Sequence, residues 1–581
     1  MIERARQGIK AMTHVLLLAA FIVITGSAAA FAVDGADEDG PKADAIQQNL
    51  GAARKKSPAI ILKQTVESQI PKPTLPAGKT LIKEVRVTGA TILAPEAISR
   101  LKTMYENREL TGRELQYVAD RVTRAYSREG YITSYGYIDP SRLGEGILQI
   151  VVKEGRTGKI IIEGNEHFSE AVFRKKLTLK EGEYFNFKKL NNSIYRINKH
   201  PDRKVSITCD PNVQTGLTDV ILTVKDKKPV HVTLQMDNYG SEYIAYRRYK
   251  IYVTHNNLTG HDDSLQFKAQ ATESDSHRLF DFDYFLPLNP DWKFEFYYMP
   301  YKLEDYCCGT NVDTDFEKHA YKWYFYFYQS LIDEPGCELV SSYGFVSKNI
   351  HWWQYGYKKK ADRFGAALWS LDLNRADRYG RWVIANDLEI GIPRIFGAST
   401  AEDESCSVKG AGGGYKKNHL IIARRQKLFK DIDWLGKAHW QKSSQAQPGV
   451  NVFSIGGFMG VIDMRGFPRA QAPGDEGVSF STGFSFPAFG LPRGLSVPYS
   501  KTKIYDALRL FTFVDYAKAS FKTYQEGNPK HYEYASGGIG CEFKVPDKAT
   551  SFRLDIGWPF TDQPSKDGDH AHAWFALTKG F

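Results

Sequence analysis

The chain has 581 residues, a formal net charge of +10, and 34 Phe, 33 Tyr and 10 Trp. This length predicts two or more folded units, and a mean hydropathy of −0.41 excludes a protein built mainly from long apolar helices. Lys and Arg are spread along the whole chain and form no basic arm, which argues against nucleic-acid binding. The aromatic content favours strands with one apolar and one polar face.

Residues 1–32 have the features of a secretory signal peptide. Basic residues precede an apolar run at 15–24, and small residues including Ala30 and Ala32 follow it. The run is shorter than the roughly 20 residues that a membrane-spanning helix needs. We therefore expect cleavage after Ala32 and export from the cytoplasm.

Residues 33–80 predict an N-terminal segment without a core of its own. A modest helical period covers 43–56, and three prolines follow within 71–78. Closely spaced prolines predict a semi-rigid, extended linker.

Residues 81–155 and 156–228 predict two copies of a small α/β domain. Each copy begins with a strand that ends on a glycine, Gly89 or Gly164, and continues through two helices and two strands. In the first copy, Thr111 and Glu114 form the pattern of a capping box at the start of the second helix. A repeat of this length indicates domain duplication and not a solenoid.

Residues 229–581 change to a period of two. Phe280, Phe282 and Tyr284, for example, alternate with Asp281 and Asp283. Alternation over about 16 predicted strands, with short and long connections in turn, favours a transmembrane β-barrel. A soluble sandwich or propeller is disfavoured because it would bury its aromatic face and no blade-like period occurs. The predicted fold class is therefore mainly β, a 16-stranded transmembrane barrel preceded by two α/β domains.

Several segments together resemble a known family. SREGYITSYGYIDP and GILQIVVKEG lie in the first α/β domain, FSIGG leads into MRGF at 453–467, FVDYA occupies 513–517, and the last strand ends on Phe581. With the signal peptide, proline-rich linker and domain order, they resemble the two-partner secretion transporters of the haemolysin-activator type. The resemblance covers nearly the whole chain after residue 32.

The resemblance implies a location and an activity. The two α/β domains would be periplasmic POTRA domains, and the barrel would be a pore in the outer membrane of a Gram-negative bacterium. The pore would export one large, unfolded exoprotein, captured in the periplasm by its N-terminal secretion domain. Residues 43–56 would plug the resting pore, and Phe581 would be the C-terminal signal for insertion into outer-membrane lipid by the barrel assembly machinery.

The resemblance also assigns a site inside the barrel. The loop 443–476 would fold into the lumen, where Arg465, Gly466 and Phe467 would meet Asp515, with Phe513 beside it. Three positions depart from the family pattern. Met464 stands where a β-branched residue is usual, Ala517 replaces a glycine, and Gly483 stands where the strand often has an acid, so we expect Arg465 to depend more heavily on Asp515.

The residues of the predicted wall support this placement independently. One face of the strand after the loop is small, which leaves room in the lumen, and it carries Gly477, Ser479, Ser481 and Gly483. The alternation of the next strand turns Phe513 and Asp515 to the same side. A partly dehydrated arginine without its carboxylate would cost about 3 to 5 kcal/mol, so we expect a buried pair in which each member needs the other.

No catalytic motif or cofactor fingerprint is present, so we expect neither an enzyme nor a bound cofactor. His570 and His572 share one strand face, but two ligands without a third do not predict a metal site. Among the cysteines, the predicted topology permits a disulfide between Cys406 and either Cys307 or Cys308, which would all lie in outer loops.

Two other functions compete with secretion. An outer-membrane assembly and insertion factor is built from related parts, and a passive porin is also a barrel. The linker with its preceding helix disfavours the first, and the periplasmic domains and obstructed lumen disfavour the second. For capture of an exoprotein by strand addition, the candidate sheet edges are ITSYGYI (132–138) and KVSITCD (204–210).

Overall fold

The computed structural model describes residues 60–63 and 73–581, except 241–244, 274–276, 306–315, 356, 409, 430, 448–450, 459–462, 523–528 and 562. The predicted signal peptide, the candidate plug segment 43–56, Cys307 and Cys308 lie outside the described residues. No helix in the described part of the chain is long and apolar enough to cross a membrane.

The first α/β domain follows a short strand in the linker. Its three-stranded sheet has the order β3-β6-β5, and β2 pairs with β4 beside it. The elements up to its end are β1 (Ile60–Leu62), β2 (Thr80–Ile82), β3 (Glu84–Thr88), α1 (Pro95–Tyr105), β4 (Arg108–Leu110), α2 (Gly112–Arg128), β5 (Tyr135–Asp139) and β6 (Ile147–Lys153).

The predicted capping box starts α2. The Thr111 hydroxyl accepts the Glu114 amide hydrogen, and the Glu114 carboxylate accepts the Thr111 amide hydrogen at 2.7 Å. From this start, Leu115, Val118 and Val122 fall on one helical face and are fully buried against the sheet. The strand β5 lies at an edge of that sheet.

The second α/β domain has the sheet order β1-β8-β9-β7. Its elements are β7 (Arg156–Glu163), α3 (Glu170–Lys176), α4 (Phe187–Ile197), β8 (Arg203–Asn212) and β9 (Leu217–Asp226). The strand β1 from the linker runs parallel to β8, pairing Ile60 with Ile207 and Leu62 with Cys209. The candidate edge KVSITCD is therefore wrong as a free edge, because the chain's own linker already pairs with it.

The barrel closes from 16 antiparallel strands, which confirms the predicted fold class. Four short strands, β21 to β24, belong to the loop between its eleventh and twelfth strands. The first eleven barrel strands are β10 (Val230–Asp237), β11 (Arg248–His255), β12 (Ser264–Thr272), β13 (His277–Pro287), β14 (Trp292–Asp305), β15 (Phe316–Glu334), β16 (Cys337–Gln354), β17 (Tyr357–Ala376), β18 (Gly380–Gly391), β19 (Lys416–Lys427) and β20 (Asp433–Ser443). The remaining elements are β21 (Phe453–Ile455), β22 (Gly457–Phe458), β23 (Asp463–Met464), β24 (Ala472–Gly474), β25 (Glu476–Pro487), α5 (Ile504–Ala507), β26 (Leu508–Ser520), β27 (His531–Val545), β28 (Thr550–Pro559) and β29 (His572–Gly580).

The period of two in the sequence becomes two distinct barrel faces. Phe280 and Phe282 point outward and are exposed, whereas Asp281 between them is buried in the lumen and pairs with Lys268 at 2.9 Å. Apolar side chains therefore form the outer surface, and paired charges line the interior.

The second α/β domain is tied to one end of the barrel. Arg203, at the start of β8, is buried and pairs through Nη2 with Asp262 in the β11–β12 connection at 2.9 Å. Tyr195 on α4 donates to Glu338 at the start of β16 at 2.7 Å. Both contacts therefore join the second α/β domain to the same end of the barrel.

Candidate functional site

The described residues of the loop 443–476 enter the lumen and form two short pairs of strands. The strand β21 pairs with β24, and β22 pairs with β23 deeper along the loop. Gly456, which separates β21 from β22, and Gly457, the first residue of β22, have φ of 122° and 78°, which strongly favour glycine. A Cβ on Gly456 would lie 2.1 Å from the Pro468 carbonyl oxygen, so this bend also excludes a side chain.

Apolar residues of the loop form a core with the inner wall of the barrel. Phe467 is fully buried, and its ring meets the ring of Tyr534 edge-on at 4.8 Å. The loop supplies Phe453, Ile455, Met464, Phe467 and Ala472 to this core, and the wall supplies Val383, Ala385, Ile421, Ala423, Ala517, Ala519 and Tyr534. Packing of this kind fills space that an open channel would leave to water.

Arg465 follows β23 and forms a bidentate contact with Asp515 on β26. Its Nε donates to Asp515 Oδ2 at 2.8 Å, and its Nη2 donates to Oδ1 at 2.7 Å. The backbone amide of Arg465 also donates to Asp515 Oδ2 at 3.1 Å. The arginine is 5% exposed and the aspartate 0%, so this contact lies away from bulk solvent.

A second carboxylate completes the site. Arg465 Nη1 donates to Asp555 Oδ1 on β28 at 3.1 Å, and Arg553 on the same strand donates to both oxygens of Asp555 at 2.7 and 3.0 Å. Two arginines thus face two aspartates, and their formal charges cancel. Arg465 does not depend on Asp515 alone, in contrast to the expectation drawn from Gly483.

Aromatic rings cover the two guanidinium groups of this charge cluster, which consists of Arg465, Arg553, Asp515 and Asp555. The Arg465 guanidinium carbon lies 3.5 Å from the ring centroid of Phe513, and that of Arg553 lies 4.6 Å from the ring centroid of Phe511. Such stacking stabilises a desolvated guanidinium group, and the rings also restrict the access of water to it.

Gly466 lies directly against the barrel wall. Its amide donates to Ser536 Oγ at 3.2 Å, and a Cβ at this position would lie 2.5 Å from Ser536 Cβ. The wall is equally close at Gly557, where a Cβ would lie 2.6 Å from the Arg465 carbonyl carbon. The loop and the wall therefore approach through facing glycines.

The four small residues predicted for the wall have different surroundings. Ser481 accepts from Arg465 Nη2 at 3.0 Å and donates to Asp515 Oδ1 at 2.7 Å, and a Cβ on Gly477 would meet the Phe453 ring at 2.4 Å. Ser479 is buried and is paired in register with Ala517. Gly483 is paired in register with Phe513, and a Cβ there would meet the Thr512 carbonyl oxygen of the neighbouring strand at 2.0 Å.

The sequence interpretation missed the partners on β28 and β29. Trp574 Nε1 donates to the Arg465 carbonyl at 2.8 Å, and His572 Nδ1 lies 2.9 Å from the Gly466 carbonyl. The alternation in RLDIGW carried a usable signal, because it places Arg553 and Asp555 on the face opposite Leu554 and Ile556. Charged residues on one face of a barrel strand must face the lumen.

Two other predicted positions lie outside this cluster. Cys406 is buried in the β18–β19 connection, and its disulfide stays a prediction because Cys307 and Cys308 lie outside the described residues. Phe581 follows β29 at the barrel seam, where its amide donates to the Val232 carbonyl at 2.8 Å and its side chain is exposed.

Three family models match successive parts of the chain. "POTRA domain, ShlB-type" matches residues 80–155, and the POTRA model "Surface antigen variable number repeat" matches residues 156–233. "Haemolysin secretion/activation protein ShlB/FhaC/HecB" matches residues 216–322, at the start of the barrel.

Curated relatives extend the similarity over most of the chain. The "Outer membrane transporter CdiB" of Dickeya dadantii (strain 3937) is 23% identical over 422 residues, which cover 71% of this chain and 73% of the relative. The protein of the same name from Escherichia coli O6:K15:H31 (strain 536 / UPEC) is 24% identical over 425 residues, covering 71% and 70%. The chain belongs to the two-partner secretion transporters.

Two solved structures of proteins named CdiB share the fold of this one. CdiB from Escherichia coli superposes with a TM-score of 0.71 at 19% identity, covering 95% of this chain and 100% of that one. CdiB from Acinetobacter baumannii gives 0.65 at 14% identity, with coverage of 94% and 97%.

The family places this two-partner secretion transporter in the outer membrane, with its POTRA domains in the periplasm. It exports a cognate exoprotein, which confirms the predicted function, and the alternative of an assembly factor is not favoured. The relatives are transporters and not enzymes. The loop 443–476 therefore starts from the outer end of the barrel and folds back into the pore.

Proposed function

We propose that the loop 443–476 occupies the pore of the resting transporter and that Arg465, Gly466 and Phe467 hold it there. The observation that carries this proposal is the bidentate contact of buried Arg465 with Asp515, supplemented by Asp555. Breaking a buried, hydrogen-bonded ion pair by removing one member costs about 3 to 5 kcal/mol. Secretion depends on this contact because it sets both the position of the loop and the spacing of β25, β26 and β28 around it.

The exoprotein crosses the pore unfolded in this proposal, after its N-terminal secretion domain has bound the POTRA domains. Strand addition at a sheet edge is the recognition mode, because main-chain hydrogen bonds accept many sequences. The strand β5 offers an edge in the first POTRA domain. The edge of β8 is covered by β1, so an exoprotein strand would have to displace residues 60–62.

The cover on β8 is slight, which makes displacement feasible. Within the described residues 60–63, it consists of three paired residues, one further hydrogen bond from the Lys63 amide to the Cys209 carbonyl at 3.1 Å, and an ion pair between Lys63 and Asp210 at 2.9 Å. Both members of that pair are about half exposed, so its contribution is small.

A binding experiment discriminates between the two edges. Ile61→Pro removes a backbone donor from β1 and would uncover β8. If β8 is the binding edge, the purified variant will bind an unfolded secretion domain more tightly than the wild type. Unchanged binding, together with loss of binding when Tyr137→Pro disrupts β5, would assign the exoprotein to the first POTRA domain instead.

The barrel surface and its last residue suit two further partners. The outward apolar face would contact outer-membrane lipid, and Phe581 would be recognised by the barrel assembly machinery during insertion. Its ring is 66% exposed beside the seam, so it is accessible. Phe581→Ala would lower the amount of barrel in the outer membrane while leaving secretion per inserted barrel unchanged.

A deletion experiment tests the function as a whole. Cells lacking this gene should lose one large protein from the medium, and the intact gene should restore it. Other outer-membrane barrels should stay at their normal level. A general fall in barrel proteins would support the assembly factor, and an unchanged medium would support a passive porin.

A further inference from the structure

Three potential metal ligands converge where the last outer connection meets β29. Asp567 and Asp569 come from the connection 560–571 and His572 starts the strand, and one ligand atom from each lies within 4.8 Å of the other two. Two ligands of one transition-metal ion, each at about 2.0 to 2.2 Å, lie at most about 4 Å apart. A small adjustment of the exposed Asp569 is enough to reach that spacing.

A hydrogen bond to the loop 443–476, the pore loop, determines which ring nitrogen of His572 carries a hydrogen and which one faces the aspartates. Its Nδ1 lies 2.9 Å from the Gly466 carbonyl oxygen, which can only accept, so Nδ1 carries a hydrogen. The other ring nitrogen, Nε2, forms a hydrogen bond with Asp567 Oδ2 at 2.9 Å. A metal ion bound by Nε2 and Oδ2 would take the place of this hydrogen bond.

Asp567 is held as an oriented carboxylate. Both Ser565 Oγ at 2.6 Å and the Asp569 amide at 3.1 Å donate to Oδ1, which leaves Oδ2 directed at the histidine.

The surroundings have the layout of a protein metal site. Metal-binding histidines usually donate their second ring nitrogen to a backbone carbonyl or carboxylate, as His572 does to Gly466. The histidine is 8% exposed, whereas Asp569 faces solvent, so an ion has a path of entry. The sequence offered only His570 and His572, and the structure replaces His570 with two aspartates.

We propose that Asp567, Asp569 and His572 bind one divalent transition-metal ion, and that the ion holds the pore loop through His572. One imidazole with two carboxylates suits zinc or manganese, whereas calcium requires six to eight oxygen ligands. The ion would join the outer connection, the barrel wall and the loop carbonyl at Gly466. The effect of the ion on the loop rests on the proposed function, whereas metal binding itself does not.

Metal binding is tested on the full-length transporter in detergent micelles, purified without a polyhistidine tag and stripped with EDTA. Calorimetric titration with Zn²⁺ and with Mn²⁺ should show one ion per chain for at least one of them, and Ca²⁺ should bind weakly. Asp567→Asn and His572→Gln should each lower the affinity at least tenfold. His570→Gln is the matched control and should bind like the wild type.

Co²⁺ absorption gives a second readout of histidine ligation, which should be present in the wild type and absent in His572→Gln. Heat-modified gel mobility verifies that each variant is folded. A wild type that binds neither Zn²⁺ nor Mn²⁺ overturns the site and leaves an imidazolium–carboxylate pair in its place. Equal affinity of the wild type and His572→Gln overturns it as well.

The effect on the loop is measured as conductance in planar bilayers. EDTA should raise the wild-type conductance several-fold, and Zn²⁺ should reverse the change, whereas His572→Gln should not respond. Metal binding without any change in conductance would overturn the statement about the loop and leave the site intact. A high, metal-independent conductance of the wild type would instead contradict the proposed role of the loop 443–476.

Discussion

Arg203, at the junction between the second POTRA domain and the barrel, and Arg465, in the pore loop, are both buried and both pair with aspartate, but their surroundings differ. Arg203 shares Asp262 with Lys176, whose side chain is 26% exposed. Arg465 shares Asp515 and Asp555 with Arg553, and both aspartates are fully buried.

This difference separates two uses of a buried arginine. When a residue of the junction is substituted, water can replace part of the lost interactions, because the Lys176 ammonium group already reaches solvent. The pore-loop cluster has balanced charges and rings over both guanidinium groups, so removal of one member leaves a buried charge without compensation. We therefore expect the pore-loop cluster to be far more sensitive to substitution than the junction.

Arg465→Ala should have the largest effect. It leaves Asp515 without its bidentate partner, which costs about 3 to 5 kcal/mol. If secretion requires the loop to be held in the pore, this loss corresponds to well over a tenfold decrease in secretion. Exoprotein in the medium is measured relative to barrel inserted in the outer membrane. The matched control is Arg247→Ala, whose pair with Glu273 is exposed at 57% and 41% and should matter little. Normal secretion by Arg465→Ala would refute the role of the loop contact.

Substitutions of the two aspartates should reduce secretion by different amounts. Asp515 accepts three hydrogen bonds from Arg465 and Asp555 accepts one, so Asp515→Asn should reduce secretion about tenfold and Asp555→Asn about threefold. In the double variants with Arg465→Ala, neither change should add its full effect, because the interaction is already lost. Fully additive losses would show that the aspartates act independently of Arg465.

Gly466→Ala tests the close approach of loop and wall without changing charge. The added Cβ would lie 2.5 Å from Ser536 Cβ and 2.8 Å from the Trp558 carbonyl carbon, and such overpacking costs about 1 to 3 kcal/mol. We expect a several-fold rise in bilayer conductance and a moderate loss of secretion. Gly494→Ala, at a site with no atom within 4 Å of the new Cβ, should behave like the wild type.

Asp262→Asn at the junction should have the smallest effect on secretion, and its effect on folding stability should depend on pH. Burial raises the pKa of Asp262, but hydrogen bonding to Arg203 and the charge of Lys176 lower it overall, from 3.8 to about 2. The carboxylate therefore stabilises the folded state above pH 3.8, by about 2 kcal/mol, and this contribution is lost as the pH falls from 3.8 towards 2.

Calorimetric unfolding checks this prediction at pH 7 and at pH 3. The midpoint of the wild type should exceed that of Asp262→Asn at pH 7, and the two should approach each other at pH 3. Asp210→Asn, which removes an exposed ion pair with Lys63, is the control and should differ little from the wild type at either pH. A difference that persists unchanged at low pH would exclude ionised Asp262 as its cause.

Local patterns predicted much of the fold because they act within a few residues. Alternation along β13 and β26 assigned faces correctly, and Thr111 and Glu114 marked the start of α2. Those patterns could not show that β1 covers β8, because the linker strand is only three residues long and pairs with residues about 147 positions away.

For the candidate site, the sequence by itself determined that Arg465 interrupts an apolar, glycine-rich stretch and that Asp515 faces the lumen. Only the tertiary structure decided that Asp555, 90 residues after Arg465, completes the cluster and that His572 holds Gly466. The physical reason is that side-chain faces follow from the period of each strand, whereas contacts across the lumen depend on how the whole barrel closes.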